Sequence, residues 1–313
     1  MKKSTALQLS ALAARHHGVF TRAEALAMGL SSSAVTRRVE SGLWLRPAPG
    51  IYVVAGSPAT WRRAVAIAVV GAGSGAIASH LTSAHLWGLA KRPKVIEVTT
   101  PHAWRRTRNY VIHRSTDLIA GDVVELDGIE TSTVARMLVD IGVPWGEAMA
   151  ARCLDEAERK KMTSARQVAQ VLHRVARKGR NGVGPMREVL KVRLGWASIT
   201  DSQLEDEFGR IMAIAGVELP EPQVRMIKRG GRFITRVDYA YRELDLVIAL
   251  DGEQYHSDHM TFRRDRRQQN ELVLENQRVL RFTAWDVFAA PEYVVATVVE
   301  ALRTFGNPSP RPN

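Results

Sequence analysis

Val247-Ile248-Ala249-Leu250-Asp251-Gly252-Glu253-Gln254-Tyr255-His256 reads as a buried strand that ends in polar, metal-competent side chains. Upstream, Phe233-Ile234-Thr235-Arg236-Val237-Asp238-Tyr239 is a second strand pattern that also carries an acid. Downstream, Phe262-Arg263-Arg264-Asp265-Arg266-Arg267-Gln268-Gln269-Asn270 is a strongly basic helix, and Arg278-Val279-Leu280-Arg281-Phe282-Thr283 closes the unit as a third β run. Further back, a helix starts at Ser202-Gln203-Leu204-Glu205 and runs through Phe208, Ile211, Met212 and Ala215, spaced for burial. Ser202 is its expected N-cap, with Glu205 at the capping-box position. Helix, strands, basic helix, strand and helix make an α/β unit of about 105 residues, a normal domain size.

The polar residues of this unit suggest phosphodiester chemistry. Mg²⁺ takes hard oxygen ligands and keeps several waters. Asp238 and Asp251, on adjacent strand ends, can hold it against a scissile phosphate. His256 can take a proton from the attacking water near neutral pH. Arg263, Arg264, Arg266 and Arg267 would grip the backbone electrostatically.

Composition sets the frame. The 313 residues suggest two or three domains, and 44 Lys+Arg against 32 Asp+Glu give a net charge of +12, which favours an anionic partner such as nucleic acid. The single cysteine, Cys153, excludes an internal disulfide and reads as a small buried hydrophobe. The start of the chain is amphipathic, and the longest apolar run, Ala64 to Ala72, is too short to span a bilayer, so a cytoplasmic protein without membrane contact is expected.

The front of the chain has its own pattern. Leu7, Leu9, Leu12 and Ala13 form a first helix. Thr21-Arg22-Ala23-Glu24 has capping-box spacing, and Ser31-Ser32-Ser33 offers an N-cap to a helix through Val39. Trp44-Leu45-Arg46, a Pro-Gly turn and Ile51-Tyr52-Val53-Val54 then form strand, turn, strand. This is a winged helix-turn-helix, in which Ser32, Ser33, Thr36 and Arg37 face the major groove and Arg38 and Arg46 lie near phosphates. The bland alternative is a small helical module used for protein contacts.

In the middle, helices are expected over Ala59–Val70 and Ala78–Leu86, and strands over Val95–Thr100 and Tyr110–Arg114. A hairpin is expected around Asp127-Gly128, followed by a helix capped by Thr133. Trp145–Lys161, Ser164–Arg177 and Met186–Leu194 read as further helices, the last following a Gly-rich breaker that lacks the pattern of a phosphate loop. His80, His85, His102 and His113 read as packing or capping residues rather than a metal set, since His80 and His85 are off the i, i+4 spacing. Trp104-Arg105-Arg106-Thr107-Arg108 is a basic loop, solvated or touching a nucleic-acid backbone.

Two resemblances follow from these motifs. The winged-helix residues, together with Ser79-His80-Leu81-Thr82-Ser83-Ala84-His85-Leu86-Trp87-Gly88-Leu89, resemble the antitoxin family of abortive-infection type IV toxin–antitoxin systems, over roughly the first 140 residues. That resemblance implies a winged helix bound to its own promoter operator, then an α/β domain, and a toxin partner. Arg236-Val237-Asp238, the Leu246–Gly252 strand, His256, Phe262–Asp265 and Arg278–Thr283 resemble the very-short-patch mismatch-repair endonucleases and their relatives, of the PD-(D/E)XK restriction-endonuclease-like fold. This implies metal binding at Asp238 with the Leu250 carbonyl as a further ligand, an acid at Asp251, a general base at His256 and a further acid at Glu205 on the first helix.

The expected architecture is α/β multidomain. It comprises a winged helix over 1–56, an α/β antitoxin-like domain over 57–143, a helical region over 144–197, a nuclease-like domain over 198–305 and a tail from 306 to 313. Two functions compete: a Mg²⁺-dependent DNA endonuclease, and a non-catalytic regulator or antitoxin with a degenerate nuclease fold. Ala249, which stands where many relatives carry Glu, and Glu253 in place of the nuclease lysine favour the second; Asp238, Asp251, His256 and Glu205 together favour the first.

Overall fold

The computed structural model describes residues 3–102, 109–176, 183–196, 199–252 and 259–306. They form two compact units, Met1–Val189 and Leu190–Asn313.

The first unit opens with α1 (Lys3–Arg15), β1 (Val19–Thr21), α2 (Arg22–Ala27), α3 (Ser32–Glu40), β2 (Trp44–Ala48) and β3 (Ile51–Val54). Both caps read from sequence are present. Thr21 and Glu24 complete a reciprocal capping box on α2, and the Ser31 hydroxyl accepts the Ala34 amide to start α3. The strands form a sheet in the order β1-β3-β2, and β2–β3 is the wing. Phe20, Trp44 and Tyr52 fill the centre, with the Phe20 ring edge-on to Trp44 at 4.7 Å.

The chain continues through α4 (Trp61–Gly71), β4 (Ile77–Ala78), α5 (His80–Leu86), β5 (Glu97–Thr100), β6 (Val111–Arg114), β7 (Val123–Leu126) and β8 (Ile129–Ser132). These five strands form one mixed sheet, β6-β5-β4-β8-β7. Asp127 and Gly128 turn the β7–β8 hairpin with φ of 50° and 71°, the left-handed pair that a two-residue hairpin turn requires. The helix expected from Ala78 starts only at His80, because Ile77 and Ala78 are taken into the sheet between β5 and β8. Thr133 caps α6 (Val134–Arg159), which kinks at Gly146 (φ 73°). α7 (Ala165–Val175) and α8 (Val183–Arg193) follow. α8 starts three residues before Met186, with Pro185 in its first turn, where its missing N–H costs nothing.

The boundary expected between residues 56 and 57 runs through a shared core. Val19, Ile51 and Val53 of β1 and β3 pack in one cluster with Val65, Ala68 and Val69 of α4 and with Val98 and Ile129 of the five-stranded sheet. The turn of the β7–β8 hairpin adds polar contacts. A ring nitrogen of His16 lies 2.8 Å from the Gly128 carbonyl, one of His17 lies 2.8 Å from the Asp127 carbonyl, and Arg62 pairs with the Asp127 carboxylate at 2.9 Å. Gly128 sits so close to the end of α1 that a Cβ there would lie 1.8 Å from the Arg15 carbonyl oxygen.

The second unit contains α9 (Asp201–Ile214), β9 (Glu221–Ile227), β10 (Phe233–Tyr241), β11 (Leu246–Asp251), α10 (His259–Leu274), β12 (Arg278–Thr283), α11 (Ala284–Ala289) and α12 (Pro291–Gly306). The element order is the one read from the sequence. Its sheet is β12-β11-β10-β9, antiparallel except for the β11–β12 pair, which is parallel across the α10 crossover. β11 is covered on both faces: Ile248 packs with Phe208 of α9 and Phe282, while Val247 packs with Leu272 of α10. α9 is capped by Thr200 with Gln203, not by Ser202 with Glu205. Thr200 is extended and its hydroxyl accepts the Gln203 amide, which places Ser202 inside the first turn and leaves Glu205 free to serve the sheet side.

Candidate functional site

On the winged helix, Ser32, Ser33, Thr36 and Arg37 all lie exposed along α3, and Arg46 is exposed on β2. Their local bonds leave the face open. Ser33 contacts the Ser31 hydroxyl at 3.0 Å, and Thr36 back-bonds to the Ser32 carbonyl at 3.1 Å. Arg38 departs from expectation. Its guanidinium donates to the Ala34 carbonyl at 2.9 Å and lies 5.2 Å from the centre of the Trp44 ring, so it braces the helix against the wing. Arg22, which the sequence reading did not nominate, donates to the Ser32 hydroxyl at 2.8 Å and adds a cation beside the N-terminal turn of α3. Its place next to the capping-box Thr21 was the signal for it.

In the second unit, the β10–β11 ladder runs from Tyr241 and Leu246 to Tyr239 and Ile248. Just past it, the Asp238 carboxylate accepts the Leu250 amide at 2.6 Å. Glu205 lies on α9 above, where its carboxylate accepts from Gln223 at 2.7 Å and its carbonyl accepts from the Tyr239 hydroxyl at 3.0 Å. Asp201 stands one helical turn before Glu205, 2.7 Å from where a Cβ on Gly252 would be. The i, i+4 spacing of Asp201 and Glu205 was legible in the sequence and places both on one face of α9. Burial first, and then the charges of Glu205, Asp201 and Asp251, push the Asp238 carboxyl up to about 6, against a bond from the Leu250 amide that pulls it down. Asp251 is held differently from expectation: Arg281, beside it on β12, grips it with both ends of the guanidinium, one contact being 3.1 Å. Arg267 is exposed on α10. His256, the side chains of Arg263, Arg264 and Arg266, and the Trp104–Arg108 loop lie outside the described residues.

Residues 8–55 match the protein-family model described as "Transcriptional regulator, AbiEi antitoxin". The match begins within α1 and ends just after β3, so it covers the helix-turn-helix and its wing. A search of curated proteins finds no match for the chain. The front of the molecule is thus similar to the antitoxin-type transcriptional regulators that this model describes. Among the described residues, no helix is long and apolar enough to cross a membrane.

The middle sheet contains a polar centre that the sequence reading missed. Ser79, His80, Thr82, Ser83, Glu97, Thr99, Thr131 and Ser132 are all buried. His80 and His113, read as separate packing residues, stack with ring centres 3.7 Å apart, and His113 Nε2 lies 3.2 Å from Glu97. Spacing along the chain could not reveal this, because the three residues come from the start of α5, just after β4, and from β5 and β6, brought together only by the sheet order. His85 behaves as expected: its ring reaches the Ala90 carbonyl at 2.9 Å and stands edge-on to Trp61. Behind this centre, the fully buried Arg136 pairs with Asp117, Asp122 and Asp140, each at 2.9 Å. Arg174 joins Asp122 from α7. Burial still raises the Asp140 carboxyl above its ordinary value, against the pull of Arg136.

Proposed function

We infer that this protein is a DNA-binding transcriptional regulator that reads an operator with α3 and the wing, in the role of an antitoxin acting with a toxin partner. The carrying observation is the open face of Ser32, Ser33, Thr36 and Arg37, flanked by Arg22 and Arg46, inside the stretch that matches a regulator family. Hydroxyls at the start of a helix fit base edges and phosphates, and the arginines supply the salt-dependent grip. A net charge of +12 agrees with a polyanionic partner. The test is fluorescence anisotropy with DNA from upstream of the protein's own reading frame, against a scrambled duplex. Preference for the upstream DNA, reduced by Arg37→Ala and Ser33→Ala, supports the reading; equal affinity for both duplexes sinks it.

A second reading keeps the C-terminal unit as a Mg²⁺-dependent endonuclease of the PD-(D/E)XK kind. What favours it is the gathering of Asp201, Glu205 and Asp238 at one end of the sheet, where burial first and then the neighbouring acids raise the Asp238 carboxyl to about 6. These are hard oxygen donors, and a divalent cation would relieve their mutual repulsion. Asp238 and Glu205 would hold the ion with the Leu250 carbonyl, while Asp251 would have to leave Arg281 to join them. Ala249 between the acids and the Arg281 pairing weigh towards a binding role for this unit. Plasmid cleavage with Mg²⁺ or Mn²⁺ against EDTA decides it: metal-dependent cutting abolished by Asp238→Ala establishes a nuclease, and no cutting of plasmid, linear or mismatched DNA leaves the regulator alone.

A further inference from the structure

Among the described residues, one set of three metal-competent side chains brings its ligand atoms within 4.8 Å of one another: His80, Glu97 and His113. We propose that these residues bind a divalent transition-metal ion of the zinc class. This site stands independently of the DNA-binding and nuclease readings.

The fold builds the site from three adjacent segments. β4 and β5 pair antiparallel, and Ser79 donates its amide to the Glu97 carbonyl at 3.1 Å, which sets His80 beside Glu97. β5 and β6 pair parallel with Thr99 next to His113, so His113 arrives beside the same carboxylate and stacks on the His80 ring. Two imidazoles and a carboxylate are a donor set that suits zinc, with open positions for water or a ligand. Donors about 2.0–2.1 Å from a tetrahedral ion lie about 3.3 Å apart, and imidazole lone pairs lie in the ring plane, so the stacked His80 and His113 rings turn out of their stack as the ion enters.

The surroundings orient these groups as ligands. A ring nitrogen of His80, Nδ1, lies 2.9 Å from the Ser79 hydroxyl, which accepts from Thr99 at 2.8 Å; this contact engages Nδ1, so Nε2 is the ring's ligand atom. Glu97 Oε2 accepts the Leu81 amide at 3.2 Å, leaving Oε1 facing His113. His80 has φ of 51°, a left-handed conformation uncommon for a residue with a side chain, and such strain clusters at functional sites. Glu97 also lines a cavity of about 880 Å³ with Leu81, Val95, Val111 and Cys153, and Lys91, Arg92, Lys94 and Arg152 lie along it. An anionic ligand could therefore approach the open positions of the ion from that side.

The test uses the untagged full-length chain after dialysis against a chelator. Zn²⁺ is titrated calorimetrically, and Co²⁺ is followed by its visible absorption band, which reports tetrahedral ligation. His113 is part-exposed on an edge strand, so His113→Asn is the first variant; Glu97→Gln keeps an acceptor for the Leu81 amide. His173→Ala and Glu300→Gln serve as controls elsewhere in the chain. The expected result is one ion per chain, bound at least about tenfold more weakly in His113→Asn and Glu97→Gln, with the controls unchanged. Thermal melts with and without Zn²⁺ give a second readout that survives weakened folding: the shift should be present in the parent and absent in His113→Asn. No binding, or binding and a melting shift unchanged in both site variants, overturns the proposal.

Discussion

Gly128→Ala tests the seam between the winged helix and the five-stranded sheet. Two costs add at this position. The first is conformational: at φ of 71° an alanine pays roughly 1–2 kcal/mol for the left-handed region. The second is steric. The new Cβ would lie 1.8 Å from the Arg15 carbonyl oxygen, where real Cβ contacts stay beyond 3.0 Å, so the hairpin and the end of α1 must separate. That separation lengthens the contacts of His16 and His17 with the turn carbonyls, each worth about 0.5–1.5 kcal/mol. The expected loss is about 2–5 kcal/mol in all. Gly42→Ala is the matched control, with φ of 72° and nothing within 4 Å of its added Cβ, so it pays the conformational cost alone. Urea unfolding followed by circular dichroism should place Gly128→Ala below Gly42→Ala by at least about 1 kcal/mol, the share of the broken contacts. Equal destabilisation of the two variants would refute the close approach of the hairpin to α1.

Three further outcomes are expected. Arg136→Met removes the buried cation that pairs with Asp117, Asp122 and Asp140, with Arg174 remaining on Asp122, and should destabilise the first unit by about 3–5 kcal/mol in denaturant unfolding, because these buried carboxylates lose the charge they share. Asp238 carries a folded-state carboxyl raised from 3.8 to about 6, so its ionised form costs the fold stability above that pH, and the cost disappears as pH falls below about 4. With the half-exposed position screened by solvent, Asp238→Asn in EDTA should stabilise the protein by about 1–2 kcal/mol at pH 7.5 and leave it unchanged at pH 4, as read by urea unfolding. Arg37→Ala and Arg46→Ala should each flatten the salt dependence of DNA binding by about one phosphate contact, while Arg38→Ala should lower stability more than it alters the salt slope.

Local signals carried much of the architecture. The Thr21–Glu24 capping box, the Ser31 cap, the Asp127-Gly128 turn and the apolar run of β11 each depend on residues close in sequence, and each appears where its chemistry places it. The errors come from competition between neighbours or from long-range pairing. Ser202 offered a cap, but Thr200 is extended and has Gln203 at the right spacing. Ala78 looked helical until the sheet claimed it. The approach of the Trp44 ring to Arg38, a residue that the sequence places near phosphates, is likewise a tertiary fact. In the candidate sites, Asp238 lies within electrostatic reach of Glu205, while Arg281 takes Asp251 through the parallel β11–β12 register, which no spacing rule contains. The His80–Glu97–His113 centre was hidden for the same reason: its members are 17 and 16 residues apart and are joined by strand order alone.

The stretch that a family model recognises is shorter here than the stretch that folds. Residues 8–55 end after β3, yet Val19, Ile51 and Val53 face α4 and the five-stranded sheet rather than each other alone. A fragment cut at residue 56 would turn those side chains into a greasy patch and strip His16 and His17 of their turn carbonyls. Transplanted alone, residues 8–55 would be a sticky and poorly registered piece. Kept with the sheet, α3 is held in a fixed direction, so a test of operator binding belongs to the whole first unit rather than to the matched stretch.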